Sequence, residues 1–202
     1  MHLKVTVIDE AGYNAAAYGM SLSYKDRAIR DEDWWNSTET IDKAYKRLET
    51  NAPMDGGHNK GLEHIYVWLD IEAPRYIWQE LDTYRVGVSK QSESTMHTMS
   101  HRPIEVTDFE DENIDWAYLY DINEVLNEYK EQDYPEKRDT FVRLKGMIPE
   151  GYLQRREMCV NYKTLRNIIL QRRNHRLPHW QEFIKCVLEQ VKHPELLPKL
   201  ED

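Results

Sequence analysis

The run Glu63-His64-Ile65-Tyr66-Val67-Trp68-Leu69-Asp70-Ile71-Glu72 is rich in β-branched and aromatic residues in rough alternation, and it passes straight into Ala73-Pro74. The alternation predicts a strand. Pro74 then opens a helix running to about Tyr84, in which Ile77, Leu81 and Tyr84 share a face, because proline has no N–H to lose in a first turn. A strand that converts to a helix without an intervening loop commits the chain to mixed secondary structure.

The same reasoning places a strand over residues 3–8, where Leu3, Val5 and Val7 alternate with Lys4, Thr6 and Ile8, followed by a turn over residues 9–12. Residues 13–24 are small and apolar, which permits close approach of backbone, and residues 25–35 read as a charged loop. Ser37 or Thr38 caps a helix carrying Ile41, Ala44, Tyr45 and Leu48, which stops before Pro53. Residues 88–102 are polar and read as a loop. Helices are expected over residues 122–130 and 135–144, over the basic stretch 162–173 with Leu165, Ile168 and Ile169, and over residues 179–192. The class is α+β, with no internal repeat.

At 202 residues the chain is long enough for one ordinary domain spanning residues 1–202, and 6 Trp, 13 Tyr and 3 Phe supply bulk for a core. Cys159 and Cys186 are too few for a disulfide framework, and no Cys/His array has zinc spacing, so a reducing compartment is expected. The N-terminus lacks the apolar stretch of a signal peptide and no window approaches 18 consecutive apolar residues, which predicts a cytoplasmic protein with no membrane partner. A net charge of −9 argues against a protein built to grip nucleic acid by its phosphates.

The charge is unevenly spread. Residues 105–137 hold twelve Asp or Glu against two Lys, the pattern of a solvated face, whereas residues 151–176 hold seven Lys or Arg against Glu157 alone. The basic block is read either as an anion site or as cations paired with acidic segments elsewhere. Three clusters could carry chemistry: His58 with Glu63-His64, the polar run from Arg85 to His101, and the basic helix with Asn161, Asn167 and Arg172. Each has a plainer reading, respectively a structural histidine pair, an exposed loop, and asparagines that cap or cross-link helices. No Gly-x-Gly-x-x-Gly, Walker A or nucleophile-elbow motif is present, so a Rossmann site, a P-loop and an esterase triad have no support.

Two ordered blocks resemble the flavin-dependent thymidylate synthases. Gly57-His58, then Glu63-His64, the strand, Ala73-Pro74 and a helix closing at Arg85 are similar to that family's Gly-His, Glu-His, strand, Ala-Pro and Arg-His-Arg. Lys145-Gly146-Met147-Ile148-Pro149 stands where the family has Arg-x-x-Leu-Pro, and Asn161, Leu165, Asn167 and Arg172 follow at the family's spacing. The Arg-His-Arg falls on Thr83-Tyr84-Arg85. The motif Ser-x-Asn-Glu-x-Ser-x-Arg-Tyr falls, after a two-residue insertion, on the segment with Glu93, Thr95 and His97. Thr95 keeps a hydroxyl where the family uses Ser, His97 and Lys145 replace arginines, and Glu80 replaces a Gln.

The resemblance implies an α+β fold with an antiparallel-type sheet, FAD as cofactor, and a homotetramer with sites shared between subunits. The implied reaction is reductive one-carbon transfer to C5 of a deoxyuridine nucleotide, either true thymidylate synthesis on dUMP with NADPH and methylenetetrahydrofolate as cosubstrates or a variant with an altered substrate or carbon donor. His58, Arg85, Asn161 and Asn167 match positions near flavin. Glu80, Glu93, Thr95, His97, Lys145 and Arg172 match the side that meets a pyrimidine deoxynucleotide, and Arg172 and Glu93 are the residues expected to act on it. Cations suit the phosphate, while Glu93 and Thr95 suit base and ribose edges. In this scheme no side chain is a covalent nucleophile; reduced flavin delivers hydride while the protein orients the uracil. The competing expectation is a non-catalytic nucleotide-binding or structural relative that kept the scaffold.

Overall fold

The computed structural model describes residues 1–23 and 38–200; the expected loop over residues 25–35 and the capping side chains of Ser37 and Thr38 lie outside the described part. The chain runs β1 (Lys4–Ala11), α1 (Tyr13–Ser21), α2 (Thr38–Asn51), a 3-10 turn (Lys60–His64), β2 (Tyr66–Pro74), α3 (Arg75–Leu81), β3 (Val88–Ser92) and α4 (Thr95–Thr98), then α5 (Trp116–Glu131), α6 (Glu136–Met147), β4 (Leu153–Asn161), α7 (Tyr162–Arg172) and α8 (His179–Gln190). The strands form one sheet in the order β1-β2-β4-β3. Tyr162 N donates to Ile65 O and Arg75 N to Tyr152 O, so β2 and β4 are antiparallel. Asn161 N to Gly87 O and Glu93 N to Arg155 O make β4 and β3 antiparallel as well. The fold is α+β, as the sequence indicates.

Several boundaries move for local reasons. His64 ends a 3-10 turn instead of opening the strand. The small apolar run after Gly12 is a helix, α1, whose Ala17 packs with Ala44 of α2. Helix α5 begins at Trp116, six residues before the expected start, because Asp115 Oδ1 accepts from Ala117 N at 2.8 Å and caps it. The expected loop over residues 88–102 is a correction: it contains edge strand β3 and the short helix α4. β3 has no apolar alternation because it holds its place through backbone pairing with β4 and leaves its side chains largely exposed. β4 is a strand where the sequence pattern predicts none.

The chain divides into two compact units, one comprising Met1–Lys4, Ile71–Thr83 and Gln91–Arg156, the other Val5–Asp70, Tyr84–Lys90 and Glu157–Asp202. In the first, α5 presents Leu119, Ile122, Val125 and Leu126 to Leu144 and Ile148 around α6, with Met99, Ile104 and Phe109 completing the cluster. Trp78 is fully buried, donates Nε1 to Gln154 O at 2.8 Å, and carries the Arg156 guanidinium 4.6 Å from its ring. In the second unit, Leu165, Ile168 and Ile169 of α7 and Trp180, Phe183, Ile184 and Val187 of α8 are buried. Gly12, at φ 103°, seats β1 against the 3-10 turn; a Cβ there would lie 2.0 Å from His64 O. Among the described residues no helix is long and apolar enough to cross a membrane.

Candidate functional site

In the second unit the site is organised by α7. Asn161, 5% exposed, ends β4 and caps the helix, its Oδ1 accepting from Thr164 N at 2.9 Å. Its own N–H donates to Gly87 O at 2.9 Å. Gly87 sits at φ 66°, and a Cβ on it would fall 2.1 Å from Asn161 Nδ2, so only glycine admits the cap and the turn together.

Two side-chain bonds lay residues 84–86 along the exposed face of α7. Thr164 Oγ1 donates to Val86 O at 2.6 Å, and Tyr84 Oη donates to Gln171 Oε1 at 3.0 Å. Asn167 lies between Thr164 and Gln171 at helical spacing of three and four residues, and Arg85 lies between Tyr84 and Val86 in the segment bonded to those two residues. Arg85 and Asn167 are exposed, as is His58 in the loop before the 3-10 turn. Among the described residues the side chains of His58, Arg85 and Asn167 make no hydrogen bond or ion pair. Glu63 is tied to Lys163 of α7 by an ion pair of 2.5 Å. No group of three His, Cys, Asp or Glu able to hold a metal is found among the described residues.

Arg172 closes α7. Its Nε donates to Tyr84 Oη at 2.9 Å, and its guanidinium carbon lies 4.7 Å from the Trp180 ring and 5.7 Å from the Tyr84 ring. The two aromatic rings and the hydroxyl restrict the planar cation to few orientations.

The first unit holds the remaining candidates. Lys145 Nζ donates to Thr95 Oγ1. Burial, and then the positive charge of Arg75, pull the Lys145 ammonium below its ordinary pKa. Arg75 is itself fixed by Nη1 donating to Ile148 O at 2.9 Å. Arg75 also lies 3.8 Å from Glu150 Oε1, so its charge is partly offset by that carboxylate. His97 is exposed on α4, and Glu80 is half-buried on α3.

Glu93 faces a different environment. Its Oε1 accepts from Arg155 N at 3.0 Å, and it lines a cavity of about 910 Å³ together with Arg155, Glu72, His101, Arg102 and Tyr152. Glu72 accepts from His2 Nε2 at 2.6 Å and from Lys4 Nζ at 3.0 Å. Partial burial opposes its ionisation, but these bonds and the neighbouring charge outweigh it and hold the carboxyl below its usual value. The stabilisation from a depressed carboxyl is present above the unfolded pKa and disappears as pH falls through the folded one. Glu72→Gln is therefore expected to be less stable than the parent at pH 7, by less than about 1 kcal/mol given its exposure, and the difference to shrink as pH falls below the ordinary carboxyl range in urea denaturation.

The sequence profile of the thymidylate synthase complementing protein family matches residues 6–194. The chain belongs to this family. Two solved structures share its fold: thymidylate synthase X from Helicobacter pylori with FAD and dUMP, at a TM-score of 0.71 and 16% identity over 98% of this chain and 99% of that one; and flavin-dependent thymidylate synthase from the same organism complexed with FAD and dUMP, at 0.72 and 16% over 96% and 97%. No curated protein matches. The family's fold is thus present over nearly the whole chain.

Three residues that build this site are not legible as candidates in the sequence. Tyr84 reads as a departure from the family motif, yet it contacts Arg172; Trp180 belongs to no motif, yet it stacks on the same cation; Gly87 carries no motif, yet its conformation admits Asn161. A glycine two residues beyond the motif's last arginine is the one available signal.

Proposed function

We propose that the chain is a cytoplasmic flavin-dependent thymidylate synthase-like enzyme, acting as one domain and assembling as a homotetramer with sites shared between subunits. Its proposed substrate is a pyrimidine deoxynucleotide, dUMP, which takes a one-carbon unit at C5 from methylenetetrahydrofolate with NADPH as reductant. The observation that carries this reading is the gathering of Arg85, Asn161, Asn167 and Arg172 along α7, within the stretch that matches the family.

The donor set suits FAD: an exposed guanidinium, imidazole and amide, without partners among the described residues, match a pyrophosphate and the polar edge of a flavin. When bound, FAD supplies the hydride chemistry that the side chains here lack. Arg85 and His58 would face its phosphates and Asn167 its polar edges. Asn161, whose Oδ1 is spent on the helix cap, contributes by setting the start of α7. The nucleotide's phosphate suits Arg172, Lys145 and His97, and its base and ribose edges suit Glu93 and Thr95, with Glu80 also on the substrate side and no covalent bond from the protein.

The test is to add FAD to the purified protein, desalt it, and record the visible spectrum. The next step is to supply dUMP, methylenetetrahydrofolate and NADPH and to measure dTMP. Retained flavin absorbance and dTMP formation are expected. Folded, assembled protein that retains no flavin but binds dUMP would replace this reading with that of a non-catalytic nucleotide-binding relative.

A further inference from the structure

We propose that Tyr84 is a positioning residue for Arg172. This rests on the reading above in one respect, that Arg172 meets the nucleotide. The geometry itself is independent of that reading. Tyr84 Oη accepts from Arg172 Nε at 2.9 Å and donates to Gln171 Oε1 at 3.0 Å, so one oxygen uses its proton and a lone pair on two consecutive residues at the end of α7. Lys90 Nζ donates to Tyr84 O at 3.2 Å and steadies the backbone behind the ring.

Histidine cannot reproduce this arrangement. A ring nitrogen of neutral imidazole either donates or accepts, so no single imidazole atom can accept Nε–H from Arg172 while donating to Gln171. Imidazolium has no acceptor at all. A phenol oxygen does both at once. With Trp180 stacked at 4.7 Å, the guanidinium is oriented before any ligand arrives. Loss of the hydroxyl alone should leave the stacking in place and remove the partner of Arg172 Nε–H.

The experiment reads the arginine Nε–H signals of the full chain in ¹H–¹⁵N spectra, with Arg172 assigned by its absence in Arg172→Lys, alongside dUMP titration of Tyr84→Phe, Arg172→Lys and the double variant. In the parent, Arg172 Nε–H should exchange slowly with water; in Tyr84→Phe it should exchange fast while keeping its ring-shifted position. Tyr84→Phe should weaken dUMP binding roughly three- to tenfold, the loss of one hydrogen bond that orients a charged group, and should have no further effect in the Arg172→Lys background. Equal protection of Nε–H in parent and Tyr84→Phe, or the same fold-loss in both backgrounds, would overturn the proposal. A parent that binds no dUMP would sink the functional reading instead, and the exchange of Nε–H would still decide the role of Tyr84.

Discussion

Arg172→Ala is expected to weaken dUMP binding by roughly 10- to 150-fold, the 1.5–3 kcal/mol typical of a charge-assisted hydrogen bond. The side chain is half-buried between two aromatic rings, so little of its binding contribution is lost to solvent screening or to the entropy of fixing a long side chain. Arg172→Lys should fall between the parent and Ala: it keeps the charge, but an ammonium has neither the planar fork nor the faces that stack on Trp180 and Tyr84. Calorimetric titration with dUMP checks the ranking, and a melting curve separates binding from folding, since loss of the stack should lower the midpoint by only a few degrees. Parent-like affinity in Arg172→Ala would remove this residue from the nucleotide site.

Gly87→Ala is expected to be the most damaging small substitution at the site. The new Cβ would sit 2.1 Å from Asn161 Nδ2 and 2.6 Å from its Cγ, at a φ of 66°. The left-handed backbone costs a residue with a Cβ about 1–2 kcal/mol, and an Asn161 pushed off Thr164 N forfeits an N-cap worth about 0.5–2 kcal/mol. Together these amount to roughly 1.5–4 kcal/mol, or a fall in Tm of about 3–16 °C for a chain of this size. Flavin retention should fall with it, because Asn161 sets the start of α7. Gly19→Ala is the matched control: that glycine lies within α1, has nothing within 4 Å of an added Cβ, and should gain up to about 1 kcal/mol of helix stability. A Gly87→Ala protein as stable as the Gly19→Ala protein would show that the turn tolerates a side chain and that the cap does not depend on it.

The elements read directly from the sequence are those whose stabilising pattern is local. β2 alternates because one face is buried; α7 and α8 repeat at the helical period because each lays one stripe against the core; Pro74 stops one element and starts the next for reasons contained within a few residues. The family motifs share that property, since Asn161, Asn167 and Arg172 keep their spacing within one short stretch. Tertiary structure decided the rest, and in each case the deciding interaction joins residues far apart in sequence. β3 is polar after Val88 and is a strand only because β4, more than sixty residues later, offers it backbone partners. β4 hides its pattern among charges that are satisfied elsewhere, such as Arg156 against Asp82 at 3.1 Å and over Trp78. Tyr84 reads as a broken motif until α7 folds past it and Arg172, 88 positions away, donates to its hydroxyl. Sequence thus marked which residues match the family's pattern; the packing of α7 against residues 84–87 determined which of them are held in place, because hydrogen bonds across such separations have no periodic trace in the chain.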